Sequence, residues 1–392
     1  MTGIVLSASV RQNLLSLQST AALLATTQSN LATGNKVNSA LDNPTNFFTA
    51  QGLNNRASDI GNLLDSIGNG VQVLQAANTG ITSLQSLVST AKSIANQVLQ
   101  APTGYTTKST ITSSAALPAG STSTNLVDGT AIKSGETLTI AATNAAAGDV
   151  ATSFTFGATT SLAQLNTALA ANQLTASLDS SNDLVITTTN DAASSTIGTV
   201  TLGGTTGSAT FAAPVAPVAD PVSQATRASL VNQYNNIVTQ ITTTAQDSSF
   251  NGINLLNGDN LKLTFDETAK STLNITGATL NAAGLGINSL TVGTGFLDNN
   301  SANVALAALG TASTTLRTQA SAFGSNLSIV QIRQDFNKNL INVLQTGSSN
   351  LTLADPNEEA ANSQALSTRQ SIAVSALALA NQSQQSVLQL LR

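Results

Sequence analysis

The first thirty positions carry a seven-residue repeat. Val10, Leu14, Leu17, Ala21, Leu24, Gln28 and Leu31 follow one another in alternating steps of four and three. That is the spacing of a coiled-coil seam on a helix. The pattern predicts a helix over about 7–33, stopped by Gly34, a residue suited to the left-handed position that ends a helix. After a loop, Asn43 and Pro44 provide the cap and first turn of a second helix, read over roughly 45–100. Ile60, Leu64, Ile67, Val71 and Leu74 keep the heptad, a short step to Ala77 shifts it, and Ile81, Leu84, Val88, Ala91, Ala95 and Val98 carry it on. Gly68, Gly70 and Gly80 weaken this helix, and the expected breaks fall there.

The pattern changes over 101–221. Five of the seven prolines lie here, at Pro102, Pro118, Pro214, Pro217 and Pro221, among Thr, Ser, Ala and Gly. Short alternating runs at 137–140, 152–156, 174–178, 184–188 and 198–202 predict strands, with one short helix over 161–171. Helical spacing returns at Leu230, Tyr234, Ile237, Ile241 and Thr244. The runs 261–265 and 272–276 form an expected hairpin. A long helix is expected over about 303–346, with apolar positions that include Leu309, Ala312, Leu316, Phe323, Leu327, Val330, Phe336, Leu340 and Val343. A last helix starts near Pro356, capped by Asp355, with Glu358 and Glu359 in its positive first turn. It carries Ile372, Ala376, Leu379, Val387 and Leu390. The fold class is mainly α, a long coiled-coil-like helical rod made from both chain ends, with a β-hairpin and an inserted mainly-β domain, α+β overall.

Two striped ends must meet, or meet other copies, to be covered. Candidate contact positions are Val10, Leu14, Leu17, Leu24 and Leu31 on the first helix, and Ile372, Leu379, Val387 and Leu390 on the last. The stripes leave two readings open: an ordinary intramolecular coiled coil in a monomer, and a surface for self-assembly. A lone helix pair gains little burial against the entropy of ordering it. Both ends are therefore expected to be largely disordered in a monomer and to fold on polymerisation.

Composition narrows the function classes. Charged residues are 8% of the 392, against about 25% in ordinary domains. A surface of Ser, Thr, Asn and Gln repels neighbouring copies weakly. There is no Cys and no His, which excludes disulfides, Cys–His and Ser–His catalysis and the usual zinc sites. No enzyme and no cofactor is expected, although carboxylate chemistry survives in principle. Fourteen Lys and Arg against a net charge of −5 leave no basic patch for phosphates, so no nucleic acid is expected. No apolar run is long enough to span a bilayer, so no membrane insertion is expected. No basic-then-apolar leader is visible; by that test the protein stays in the cytoplasm unless another export route carries it.

The segment Leu31-Ala32-Thr33-Gly34-Asn35-Lys36-Val37-Asn38-Ser39-Ala40-Leu41-Asp42-Asn43-Pro44 resembles the loop between the first two helices of the bacterial flagellins. That family usually has Arg at the place of Lys36 and Ala or a similar residue at the place of Pro44. Phe250-Asn251-Gly252-Ile253-Asn254-Leu255-Leu256 is similar to the family's entry into its hairpin, and Leu285-Gly286-Ile287 to the exit. Leu379-Ala380-Asn381-Gln382, Gln385, Val387-Leu388 and Leu390-Leu391-Arg392 are similar to its C-terminal ending, with Gln384 where Pro is frequent. The resemblance covers about 1–100 and 222–392. The insert has only a weaker likeness to β-rich flagellar outer domains. It precedes the helix near 222–247, whereas many flagellins carry theirs after the hairpin.

The resemblance implies a structural subunit that polymerises into the extracellular flagellar filament for swimming motility. Residues 1–44 and 351–392 would form its inner core. Residues 45–103 and 222–350 would form the helical rod, with the hairpin near 250–290, and 104–221 would form a surface-exposed variable domain. Implied partners are other copies of the chain, the flagellar export apparatus and a chaperone, and the hook-associated and cap proteins. Gly34, Lys36, Asp42, Asn381 and Leu388 join the subunit-contact candidates, with Lys36 and Asp42 able to pair across subunits. The stretch 87–97 aligns with the patch a vertebrate Toll-like receptor reads in many flagellins. Thr90 and Lys92 stand where that patch has Arg, and Ser93 where it has Glu, so weak or no receptor activation is expected. The insert's Ser and Thr admit either O-glycosylation or plain solvation. The zinc protease some flagellins carry needs two His and is excluded. A hook–filament junction protein, with similar ends, and a secreted adhesin built on the insert are the alternative readings.

Overall fold

The computed structural model describes residues 8–114, 116–117, 122–143, 150–204, 207 and 209–390. Ser7, at the expected start of the first helix, and Leu391 and Arg392 lie outside them. In chain order the elements are α1 (Ala8–Thr33), α2 (Pro44–Gln100), β1 (Tyr105–Thr107), β2 (Thr110–Thr112), β3 (Thr137–Ile140), β4 (Thr152–Thr155), α3 (Leu162–Leu169), β5 (Leu174–Leu178), β6 (Leu184–Thr188), β7 (Val200–Gly203), β8 (Val218–Ala219), α4 (Pro221–Asp247), β9 (Asn260–Thr264), β10 (Thr272–Thr276), α5 (Asn299–Thr352) and α6 (Pro356–Leu390). Two compact units form. One draws on Met1–Asn69, Lys262–Leu273 and Ile329–Arg392, the other on Gly70–Leu261 and Asn274–Ser328.

Local rules set most element boundaries. Gly34 has φ +71 and ends α1. The Asn43 side chain accepts from the Asn46 N–H at 3.0 Å, with Pro44 in the first turn of α2. Asp220 caps α4 through the Val222 N–H at 3.3 Å, with Pro221 next. Asp355 caps α6 through the Asn357 N–H at 2.9 Å. The expected stripe of α2 is buried at every position from Ile60 to Val98 except half-buried Leu64.

The expected breaks in α2 do not occur; the helix runs unbroken through Gly68, Gly70 and Gly80. At Gly80 the missing side chain is required, because a Cβ would run into Ser248 and Leu256. Close approach of a neighbouring segment there outweighs the propensity cost of about 1 kcal/mol.

In the first unit the early turns of α2 and late turns of α5 bury Ala57, Ile60 and Leu344 together. The Ser348 hydroxyl donates to the Ala50 carbonyl at 3.2 Å. Arg56 pairs with Glu267 at 2.6 Å in the hairpin turn, and the Asn337 amide donates to the Phe265 carbonyl at 2.9 Å. Not every apolar position of α5 is covered: Phe336 and Val343 are exposed, and Asn337, Leu344 and Ser348 are buried instead. The seam of α5 shifts by one position past Val330, because the hairpin turn offers Asn337 a carbonyl partner and α2 offers Ser348 one.

In the second unit α4 buries Leu230, Val231, Tyr234, Val238 and Ile241, and α5 buries Leu309, Ala312, Leu316 and Phe323. Tyr234 meets Phe296 edge-on at 5.5 Å between ring centroids. Arg227 is fully buried. Its guanidinium donates to the carbonyls of Pro102 (2.7 Å), Phe296 (2.8 Å), Val98 (3.1 Å) and Ala101 (3.2 Å) and to the Asn299 side chain at 3.1 Å. It thereby satisfies carbonyls at the C-terminal end of α2. The hairpin entry is tied down by Asn254. Its amide donates to the Ala245 and Gln246 carbonyls, both at 2.8 Å, and its side-chain oxygen accepts from the Leu256 N–H at 2.9 Å.

The insert also lies in the second unit. Its three-stranded sheets, β2-β6-β5 and β4-β3-β7, are antiparallel throughout. They share a core with α3 that includes Leu126, Leu138, Phe156, Leu165, Leu169, Leu184 and Ile186. The expected strands 137–140, 174–178 and 184–188 match β3, β5 and β6, and the short helix is α3, capped reciprocally by Ser161 and Gln164. The two ends of the insert meet: β1 pairs with β8, and the Asp220 N–H donates to the Gly104 carbonyl at 2.9 Å.

Candidate assembly surface

The terminal helices α1 and α6 pack on each other along their length. On α1 the inward row is Val10, Asn13, Leu17, Thr20, Leu24 and Thr27, in steps of three and four. On α6 it is Glu359, Ser363, Leu366, Gln370, Ala373, Leu377 and Ala380, a regular heptad of half-buried positions. Eight of these thirteen side chains are polar or small. The Asn30 amide donates to the Glu359 carboxylate across the pair at 2.9 Å.

This seam divides the sequence candidates. Val10 is buried, and Leu17 and Leu24 are half-buried against α6. Leu14 and Leu31 point away, as do Ile372 at 63% and Leu379 at 71% exposure, and Asn381 is exposed too. Val387, Leu388 and Leu390 belong to α6, but their side chains lie outside the described residues. Ile372 and Leu379 thus lie on a second apolar row of α6, outside the row that meets α1.

Sequence reasoning missed further exposed apolar side chains: Leu15 and Leu23 on α1, Val374 on α6, Leu41 in the loop and Phe48 on α2. The doublets Leu14-Leu15 and Leu23-Leu24 held the signal, since a neighbouring apolar pair on a helix cannot face one partner. On α5, Ile329, Ile332, Phe336 and Val343 make another exposed row at steps of three, four and seven. Charge is nearly absent from α1 and α6: α1 carries only Arg11, and α6 only Glu358, Glu359 and Arg369, whereas the α5 row is flanked by Arg333, Asp335 and Lys338. Apolar faces with this little charge can approach copies of themselves closely.

The loop between α1 and α2 is knit to the junction of α5 and α6. The Lys36 N–H donates to the Thr352 carbonyl at 2.7 Å, the Val37 N–H to the same atom at 3.3 Å, and the Ala354 N–H to the Gly34 carbonyl at 3.0 Å. Within the loop, one Asp42 oxygen accepts from the Asn38 N–H (2.9 Å), the Ser39 N–H (2.8 Å) and the Ser39 hydroxyl (3.1 Å). The backbone N–H of Ser39, then that of Asn38, hold this carboxyl below its ordinary range. Asp42 therefore shapes its own turn. The Lys36 side chain is exposed.

Two family models match the chain at its ends. The one described as the bacterial flagellin N-terminal helical region covers residues 6–117, and the one described as the bacterial flagellin C-terminal helical region covers 306–391. Among curated proteins, the chain is 32% identical to flagellin FljM of Caulobacter vibrioides over 164 residues, 42% of this chain and 59% of that protein. It is 30% identical to flagellin FljO of the same bacterium over 172 residues, 44% of this chain and 62% of that protein. It is 36% identical to flagellin A of Rhizobium meliloti over 87 residues, 22% of each. The chain thus spans about three fifths of the length of the Caulobacter relatives. The two matched regions contain α1, the whole of α2, α5 from residue 306 onward and α6, and on these grounds the chain belongs to the bacterial flagellin family.

Proposed function

We propose that this chain is the structural subunit of a bacterial flagellar filament, secreted and polymerised outside the cell for swimming motility. The observation that carries this reading is the pair α1–α6. Its inner seam is half polar, while Leu14, Leu15, Leu23, Ile372, Val374 and Leu379 stay in water. A monomer gains little from such a pair, and a polymer covers the outer rows. A face that meets different faces of successive copies generates an open helical filament rather than a closed ring. In that filament 1–44 and 351–392 form the inner core, 45–103 and 222–350 the surrounding rod, and 104–221 the outer surface. No helix among the described residues is long and apolar enough to cross a membrane.

The same reading brings in the flagellar export apparatus, a chaperone, and the hook-associated and cap proteins as partners. Weak or no Toll-like receptor activation follows from Thr90, Lys92 and Ser93, of which Thr90 and Ser93 are exposed and Lys92 half-buried. No catalytic role is proposed.

A pelleting assay tests the polymer reading. Purified protein is brought to a high concentration of a kosmotropic salt, which strengthens apolar burial. Sedimentable polymer above a sharp critical concentration is the expected result. Protein that stays in the supernatant at every concentration would contradict it.

A further inference from the structure

The loop between α1 and α2 presents an apolar knob beside an uncharged hollow. Leu41 is 95% exposed, on a turn that Asp42 braces from within and whose base is pinned to the Thr352 carbonyl. The brace holds Leu41 in water and off the rest of its own chain. Nearby, a groove of about 260 Å³ is lined by buried Val37 and Ala50, half-buried Phe47, and the uncharged polar residues Asn35, Gln51, Asn54 and Thr352. Neither Leu41 nor its turn lines it.

We infer that Leu41 of one copy seats in this groove of the next copy. The inference rests on the filament reading and names one of its contacts. The tip and the groove match in their lack of charge. The groove has no charged lining residue, so it favours an uncharged tip. Ser39, Ala40 and Leu41 form such a tip, because the one carboxylate there, Asp42, is turned into its own hydrogen bonds. The groove is ample for a leucine side chain. A rigid knob and a separate hollow on one molecule make a head-to-tail contact, the kind that propagates an open helical assembly. The contact also places the braced turn, rather than a Lys36–Asp42 ion pair, at the subunit joint.

The chain has no cysteine, so introduced thiols report cleanly. Full-length Leu41→Cys and Asn54→Cys variants are mixed in equal amounts, assembled and exposed to mild oxidant, with the polymer pelleted before analysis. A 41–54 disulfide linking two chains, absent when either variant assembles alone or when the mixture is kept unassembled, is the expected result. In parallel, Leu41→Asp should raise the critical concentration about tenfold or more, the factor that corresponds to losing one buried leucine. Polymer that forms without the mixed cross-link, and with Leu41→Asp assembling like the parent, would overturn the contact and leave the filament reading standing. A parent chain that forms no polymer would overturn both.

Discussion

Asn30 of α1 and Glu359 of α6 are 329 residues apart in the chain and 2.9 Å apart in the structure. This hydrogen bond lies near the base of the terminal pair, beside the joint where Lys36 and Val37 bind the Thr352 carbonyl. It is a charge-assisted contact in a seam with few large apolar side chains. Asn30→Ala should destabilise the pair by about 1–2 kcal/mol. Faster amide exchange over the first turns of α6 in the assembled protein is the readout, and unchanged exchange would contradict the role.

Arg227 is expected to dominate the stability of the second unit. Its five hydrogen bonds go to four backbone carbonyls and one side-chain amide oxygen. Burial lowers its pKa, while Asp298 nearby opposes that shift. Arg227→Met should cost roughly 3 kcal/mol or more in thermal or denaturant unfolding, since the acceptors stay buried. Arg227→Lys should recover only part of the loss, because an ammonium cannot reproduce the planar fork.

How much of this was legible in the sequence depended on how many partners each helix face serves. The stripe of α2 could be read residue by residue, since one apolar row faces one core. The rows of α1 and α6 could not, because Leu14-Leu15 and Leu23-Leu24 put apolar side chains on two rows, and period alone cannot say which row meets α6. Arg227 was overlooked although it carries a readable signal: it sits on the buried stripe, three residues before Leu230 and seven before Tyr234. The strands β1, β2 and β8 were missed because two or three residues are too few to show alternation. The unbroken course of α2 through Gly80 depends on Ser248 and Leu256, which no local pattern reveals.

Glycines of α2 should split by their surroundings. A Cβ added at Gly61 would meet nothing within 4 Å, so Gly61→Ala should stabilise by about 0.5–1 kcal/mol. Gly80→Val should instead cost about 1–3 kcal/mol, because the added carbons meet Ser248 and Leu256. Denaturant midpoints of the two variants check this, and equal shifts in one direction would contradict it.

The Asp42 turn should respond to acid. Its folded pKa is depressed by the Ser39 and Asn38 amides, so its contribution is full above the unfolded value of about 3.9. That contribution is lost as pH falls through the lower folded value. Amide chemical shifts of Asn38 and Ser39 should titrate with a midpoint below the ordinary aspartate value. A midpoint at or above it would contradict the brace.

A cell reporter for the vertebrate receptor should give a response at least tenfold below that of a flagellin with Arg at the places of Thr90 and Lys92. A full response at equal protein would overturn that expectation.

Removal of 104–220 should spare assembly, because the two ends of the insert lie side by side, as the Asp220 to Gly104 hydrogen bond shows, and the cut ends can be rejoined over a short gap. Filaments of the shortened chain should be thinner than those of the parent. Loss of assembly with the rod still folded would show that the insert holds copies together.

Electron microscopy of the purified full-length protein after salt-induced polymerisation tests the central claim most directly. Long hollow filaments, with α1 and α6 lining the inner wall and the insert on the outside, are the predicted result. Closed rings, amorphous aggregate or a persistent monomer under the same conditions would contradict it.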